Sequence, residues 1–101
     1  MSLTKAEEKL WDDLARKVGC IACLVEFGIV NTYVSIHHID GRTKKGAHSK
    51  VLPLCAGHHQ DGTGEVDLVA VHPFKTRFEN KFGKQEDLLK KCLDILGRQN
   101  D

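Results

Sequence analysis

The sequence contains no apolar run long enough to cross a membrane, and it does not open with the basic and apolar regions of a secretion signal. It also has no internal repeat, low-complexity tract or interdomain linker. The formal net charge is only +1, because 15 basic residues nearly balance 14 acidic ones. We therefore expect a soluble, cytoplasmic protein with one domain over residues 1–101 and no membrane partner, and of undetermined oligomeric state.

The cysteine content suggests how so short a chain is stabilised. With 101 residues, of which 41% are hydrophobic, the chain can build only a small core. Domains of this size often gain stability from a metal ion or from disulfides. Disulfides are rare inside cells, so the four cysteines indicate metal ligands more readily than covalent pairs.

Helical signals lie at both ends of the chain. Thr4 and Glu7 form a capping-box pattern, and apolar residues at helical spacing follow until Gly19, so residues 1–19 are predicted to form an N-terminal helix. Trp11 falls on the apolar face and is expected in the core. Residues 73–97 are predicted to be helical, with Pro73 opening one helix and a second helix following from about residue 85 to 96.

Both C-terminal helices have an ordinary apolar face. Phe74, Phe78 and Phe82 recur every four residues, which indicates core packing. Cys92 lies among leucines on the last helix, so we interpret it as a buried apolar residue and not as a metal ligand.

The middle of the chain favours short strands. A turn is expected at residues 20–23. Residues 24–36 are mixed, with Val30, Tyr33, Val34 and Ile36 favouring a short strand that ends at His37 or His38. Residues 40–50 are predicted to form an exposed loop and residues 51–54 a second extended segment, with a short helix carrying His58 and His59 after it. An apolar stretch from Val66 to Val71, which can be extended, follows. The fold class is therefore α+β.

Two pairs of residues have the spacing of a structural zinc site. Tetrahedral zinc commonly takes thiolates and imidazoles supplied as two close pairs from separate turns. Each pair here has two intervening residues, and the predicted ligands are Cys20, Cys23, Cys55 and His58. The alternative is that Cys55 is simply buried after Leu54.

The remaining histidines suggest catalysis. Neighbouring residues on a strand face opposite sides, so one of His37 and His38 can bind a second metal while the other reaches a water. His59 should likewise point away from the zinc site. A histidine base and a divalent ion together supply what phosphodiester hydrolysis requires.

These motifs resemble a known family. His-His-Ile-Asp-Gly, a loop, then Leu-Cys-x-x-His-His is similar to the HNH (ββα-metal) nuclease motif with embedded zinc-binding pairs. From Ser35 to Phe82 the sequence more closely resembles the Ref family of bacteriophage RecA-dependent nucleases. The resemblance implies a ββα-metal, treble-clef-like core over residues 20–62, flanked by the N-terminal helix and two C-terminal helices.

The resemblance also implies roles for individual residues. His37 would be a metal ligand where many HNH proteins have Asp, His38 the general base, and His59 a second ligand to a catalytic Mg²⁺, Mn²⁺ or Zn²⁺. The two cysteine-containing pairs would hold the structural zinc. The implied function is DNA cleavage in phage or bacterial recombination, in the host cytoplasm if phage-encoded, with a RecA filament as the candidate partner.

The sequence departs from the HNH and Ref-like patterns at three points. No Asn lies between His38 and His59, where the region offers His48, Ser49 or Lys50 instead. The position four after His59 is Thr63, so a third ligand would come from His72, from water or from phosphate. His72 could alternatively cap the phenylalanine helix or contact a phosphate. Ref-like proteins can also carry a longer basic extension before the zinc pair, whereas only the predicted first helix precedes that pair in this sequence.

The loop inside the motif is basic. Phosphate contacts are expected from Arg42, Lys44, Lys45 and Lys50, and Lys75, Arg77 and Lys81 could extend that surface. The alternative is an ordinary solvated loop and helix face. At the level of function, the alternative is a zinc-stabilised nucleic-acid- or protein-binding module without catalysis, which would leave His37, His38 and His59 unexplained.

Overall fold

A computed structural model describes residues 3–59, 69–72 and 74–97. Along these residues the elements are α1 (Lys5–Asp13), α2 (Ile21–Phe27), β1 (Ser35–His38), β2 (Val51–Leu54), α3 (Ala56–His59), α4 (Lys75–Phe82) and α5 (Gln85–Ile95). The predicted α+β class is confirmed. None of the helices in these ranges has the length and apolar character needed to cross a membrane. The predictions for Thr63, Val66 and Pro73 lie outside the described residues.

The first helix begins as the sequence predicts. Thr4 Oγ1 accepts a hydrogen bond from the Glu7 backbone N–H at 3.1 Å, and Glu7 Oε1 accepts one from the Thr4 N–H at 2.9 Å. After Asp13 the helix widens into a π-helical turn over Leu14–Val18, where the Gly19 N–H donates to Leu14 O. Gly19 ends this turn with a φ of +71°, so the chain changes direction directly before Cys20.

Helix α2 corrects the prediction of a turn at residues 20–23. Cys20 caps this helix, because its Sγ accepts a hydrogen bond from the Cys23 N–H at 3.4 Å. Gly28, in the left-handed conformation, ends the helix. Val30 and Tyr33, which favour strands, instead lie exposed between α2 and β1. A thiol is not among the usual helix-capping groups, so the sequence carried no recognisable start signal.

The two strands form one antiparallel pair. His37 lies opposite Leu52 and His38 opposite Val51, so β1 ends at His38 as predicted. All four residues of β2 are buried, and Pro53 is tolerated because each strand of a two-stranded sheet has a free edge. The short helix α3 follows β2 directly, which brings its histidines back beside β1.

The core lies between β2, the end of the first helix and the two C-terminal helices. Phe78 and Phe82 are buried as predicted, while Phe74 is half-buried at the start of α4. Cys92 is fully buried among leucines of α5, and burial raises the pKa of its thiol to about 12. This environment agrees with the interpretation of Cys92 as an apolar core residue.

Gly19→Ala should destabilise the protein more than Gly28→Ala. Both glycines have positive φ, but a Cβ on Gly19 would lie 2.6 Å from Asn31 O, whereas a Cβ on Gly28 would meet nothing within 4 Å. The Gly19 backbone also occupies a region almost restricted to glycine, where another residue costs about 1–3 kcal/mol. Urea unfolding of both variants measures the difference, and equal losses would contradict the steric explanation.

Candidate metal centres

Four of the predicted ligands converge at the junction of α2, β2 and α3. Cys20 and Cys23 lie at the start of α2, Cys55 lies directly after β2, and His58 is on α3. Their ligand atoms all lie within 4.8 Å of one another. The two pairs, more than thirty residues apart in sequence, therefore meet at one point as the spacing predicted.

The distances within this cluster match a zinc tetrahedron. With Zn–S near 2.3 Å and Zn–N near 2.0 Å, tetrahedral geometry gives S–S edges of about 3.8 Å and S–N edges of about 3.5 Å. Cys23 Sγ lies 3.7 Å from Cys55 Sγ, and His58 Nδ1 lies 3.6 Å from the sulfurs of both Cys20 and Cys23. The Cys55 Sγ to His58 Nδ1 distance is 3.2 Å. The residues present therefore fit a zinc ion.

The surroundings of this cluster are largely buried. Cys20 and His58 are fully buried, and Phe27 and Phe82 lie against the His58 ring. Burial raises the pKa of the Cys20 and Cys23 thiols, so neither ionises readily by itself. A bound cation would stabilise the thiolates, and its binding would release their protons. The closed environment leaves little room for a substrate.

A second group consists of His37, His59 and His72, whose ligand atoms also lie within 4.8 Å of one another. The ring centroids are 5.0 to 5.6 Å apart. His72 reaches this group because its N–H donates to His59 O at 3.0 Å, while Val71 N–H donates to His58 O at 2.9 Å. The backbone thus holds His72 against the end of α3. His37 is buried and His72 exposed, so this group opens to solvent on one side.

Gln85, on α5, fixes the orientation of His37. Its Oε1 lies 2.6 Å from His37 Nε2, and its Nε2 donates to Glu79 Oε2 at 3.0 Å. The amide oxygen therefore faces the imidazole, which makes His37 Nε2 the donor and leaves its Nδ1 lone pair for a metal. Burial lowers the pKa of His37 to about 4, so this ring is neutral near pH 7.

Ser35 orients the ring of His59. Its Oγ lies 2.8 Å from His59 Nδ1 and 3.5 Å from Leu54 O. Ser35 can donate to that carbonyl while it accepts the Nδ1–H of His59, and in that neutral tautomer the lone pair of the ring lies on Nε2. Two of the three histidines are thus held in a defined orientation by side chains of the protein.

His38 lies on the other side of β1, against α1. The Trp11 ring contacts it edge-on at 5.3 Å between centroids, and His48 Nδ1 lies 3.0 Å from His38 Nε2. Burial, with smaller contributions from Arg42 and His48, lowers the pKa of His38 below its usual value. Its imidazole is therefore neutral at neutral pH, as a general base must be.

One open pocket is shared by His38 and by the group of His37, His59 and His72. It has a volume of about 250 Å³, and its lining includes His37, His38, His59, His72 and Arg42. The predicted base and the three candidate ligands thus line the same surface. No other cluster of three or more potential metal ligands occurs in the part of the chain that the structure describes, apart from the cysteine-containing one.

The predicted phosphate-binding residues are exposed, and one of them, Arg42, lines this pocket. Across residues 3–59, 69–72 and 74–97, Arg42, Lys44 and Lys45 form no ion pair, while Lys50 Nζ lies 3.7 Å from Asp40 Oδ2. Three of the four cations are therefore available to an anionic partner.

Three residues that support the histidines were not predicted as part of the site. Gln85 and Ser35 contact His37 and His59, and Trp11, expected only in the core, is half-buried and donates from Nε1 to His48 O at 2.8 Å. Their hydrogen bonds join positions far apart in the sequence. No local spacing pattern could have indicated them.

A comparison with protein families supports a relationship over almost the whole chain. The model of a family described as "Recombination enhancement, RecA-dependent nuclease" matches residues 3–97. The matched segment contains all six histidines and all four cysteines of the chain.

Cys23→Ala should abolish tight zinc binding, because three remaining donors leave the buried tetrahedron incomplete. Cys92→Ala is the matched control, since it also removes a buried thiol but lies outside the cluster. We expect one zinc per chain in wild type and Cys92→Ala, and a zinc-deficient Cys23→Ala protein with a lower melting temperature. Elemental analysis and thermal unfolding measure both, and a Cys23→Ala protein retaining full zinc and stability would refute the assignment.

Proposed function

This chain belongs to the recombination-enhancement, RecA-dependent nuclease family, and on that premise we propose that it is a metal-dependent DNA endonuclease of the HNH type. The observation that carries the proposal is the pocket in which His37, His59 and His72 meet beside His38. In this proposal β1, β2 and α3 form a ββα-metal core within residues 20–62, of which 60–62 lie outside the described residues. The core belongs to a single domain over residues 1–101, with helical segments at 1–19 and 73–97.

Each metal centre has its own task. The cysteine-containing cluster would hold a structural zinc, because its distances fit the ion and three of its four side chains are buried. His37, His59 and His72 hold a second divalent ion, Mg²⁺, Mn²⁺ or Zn²⁺, because two of them are oriented by Gln85 and Ser35. When bound, that ion stabilises negative charge on the phosphate and on the departing 3′ oxygen.

The protein's own catalytic group is His38. In the proposed reaction it removes a proton from a water as the water oxygen bonds to phosphorus, and the bond from phosphorus to the 3′ oxygen breaks. Its neutral imidazole and its position at the pocket edge suit this role. The products are a 5′-phosphate and a 3′-hydroxyl, and the proton on His38 returns to solvent.

The basic loop supplies the DNA contacts. Arg42 lines the pocket itself, and Lys44, Lys45 and Lys50 lie in the same loop. Such side chains bind the backbone without reading sequence, so they suit a substrate selected by its structure. The family description supports RecA-paired DNA as that substrate.

The competing function is a zinc-stabilised binding module without catalysis. It requires only Cys20, Cys23, Cys55 and His58. It gives no reason for a second histidine group in which Gln85 and Ser35 orient two of the three rings, which is why we favour the nuclease.

Incubation with supercoiled, single-stranded and RecA-paired DNA tests the proposed activity. We expect cleavage that requires a divalent ion and is greatest on RecA-paired DNA, and His38→Ala should reduce it by roughly 10²–10⁴-fold through loss of the base. The variant must keep its zinc and melting temperature for the comparison to hold. Equal cleavage by a folded His38→Ala protein would exclude the mechanism, and no cleavage on any substrate would favour the binding module.

Gln85→Met should weaken the second metal site without affecting the zinc. Methionine has nearly the same shape but no oxygen to accept the His37 Nε2–H, and losing such an orienting partner typically costs about 10–100-fold in metal affinity. Glu86→Gln, on the exposed side of α5, is the control. Titration of the zinc-loaded proteins with Mn²⁺ measures the affinity, and unchanged binding in Gln85→Met would show that the amide has no orienting role.

A further inference from the structure

The HNH-like motif of this chain lacks Asn between its two halves, and a histidine contacts the proposed base from that region. Of the residues in this region, His48 has a side chain that reaches His38, with Nδ1 3.0 Å from His38 Nε2 and ring centroids 5.2 Å apart. Ser49 is exposed, and Lys50 Nζ is directed to Asp40. His48 is therefore the residue of this loop in a position to act on His38.

His48 is held firmly although it lies in a mostly exposed loop. It is in a 3₁₀ turn over Ala47–Ser49, and Ala47 is only 3% exposed. Trp11 fixes the turn from α1, because its indole N–H donates to His48 O at 2.8 Å and its ring contacts the His48 and His38 rings. The imidazole thus meets His38 in a defined geometry.

The direction of the hydrogen bond between the two rings decides whether His38 can act. If His48 Nδ1 were the donor, it would occupy the lone pair of His38 Nε2, and the neutral His38 ring would carry its proton on Nδ1. If His38 Nε2–H donates to His48 Nδ1, the lone pair of His38 lies on Nδ1. Among the described residues, His38 Nδ1 has no hydrogen-bond partner, so it is the nitrogen left for a water.

We propose that His48 is a positioning residue that accepts the Nε2–H of His38 and so keeps the Nδ1 lone pair of the base available to water. This role rests on the proposed nuclease function, in which His38 takes the proton. Trp11 supports it by holding the loop that carries His48. In this chain, the hydrogen-bond acceptor that orients the proposed base is thus His48 Nδ1.

The geometry gives a matched pair of variants. Asn has its Oδ1 one bond from Cγ, as His has Nδ1, so His48→Asn keeps an acceptor at nearly the same point. His48→Leu has almost the shape of Asn but no acceptor. Trp11→Phe keeps an aromatic ring against His38 and removes the indole N–H that holds His48 O.

Nitrogen NMR of the zinc-loaded protein tests the proposal without any cleavage assay. Imidazole ¹⁵N shifts and couplings tell which ring nitrogen carries the proton, at a pH where the rings are neutral. We expect His38 to be protonated on Nε2 in wild type and His48→Asn, and to lose that preference in His48→Leu. A His38 protonated on Nδ1 in wild type, or a tautomer unchanged in His48→Leu, would overturn the proposal.

Single-turnover cleavage then separates the inference from the function on which it rests. The comparison requires that His38→Ala is inactive. His48→Leu should then lower the maximal rate by at least about tenfold, which lies within the range a base contributes. The substrate concentration that gives the half-maximal rate should stay unchanged. His48→Asn should restore most of the rate, and Trp11→Phe should fall between. Full activity of His48→Leu beside an inactive His38→Ala would refute the role of His48 alone. Full activity of His38→Ala would refute the nuclease mechanism itself.

Discussion

The convergence of Cys20, Cys23, Cys55 and His58 is the constraint on which the rest of this structure depends. These donors come from two segments more than thirty residues apart, and they meet at distances that fit one tetrahedral ion. Burial disfavours ionised thiols there, so a cation would offset a cost that the small core must otherwise bear. Fixing α2 against β2 and α3 also fixes where His59 lies, since it directly follows the candidate ligand His58.

Neighbouring residues of a strand face opposite sides, so His37 and His38 contact different parts of the chain. His37 faces the C-terminal helices, where Gln85 orients it, and His38 faces α1, where Trp11 and His48 contact it. Each ring is therefore held by a different part of the chain, although both border one pocket. The flanking helices thus contribute to the proposed chemistry by fixing tautomers, and their role extends beyond supplying a core.

Short-range spacing predicted much of the fold, and the residues that it singled out as candidate ligands lie together in two groups. The capping box at Thr4, the strand ending at His38 and the helices after residue 74 are local patterns, and the structure confirms them. Helix α2 was missed because a cysteine thiol caps it, which usual capping preferences do not anticipate. The link from Gln85 to His37 spans 48 residues, so it depends on tertiary packing that no local pattern records.

Anomalous diffraction from one crystal of the zinc-loaded protein soaked in Mn²⁺ would test the two-centre account most directly. Data at the zinc and manganese absorption edges distinguish the ions by position. We expect zinc between the three sulfurs and His58 Nδ1, and manganese between the His37, His59 and His72 rings. Zinc at the first position with no manganese at the histidine group would contradict the proposed catalytic centre and leave only the binding module.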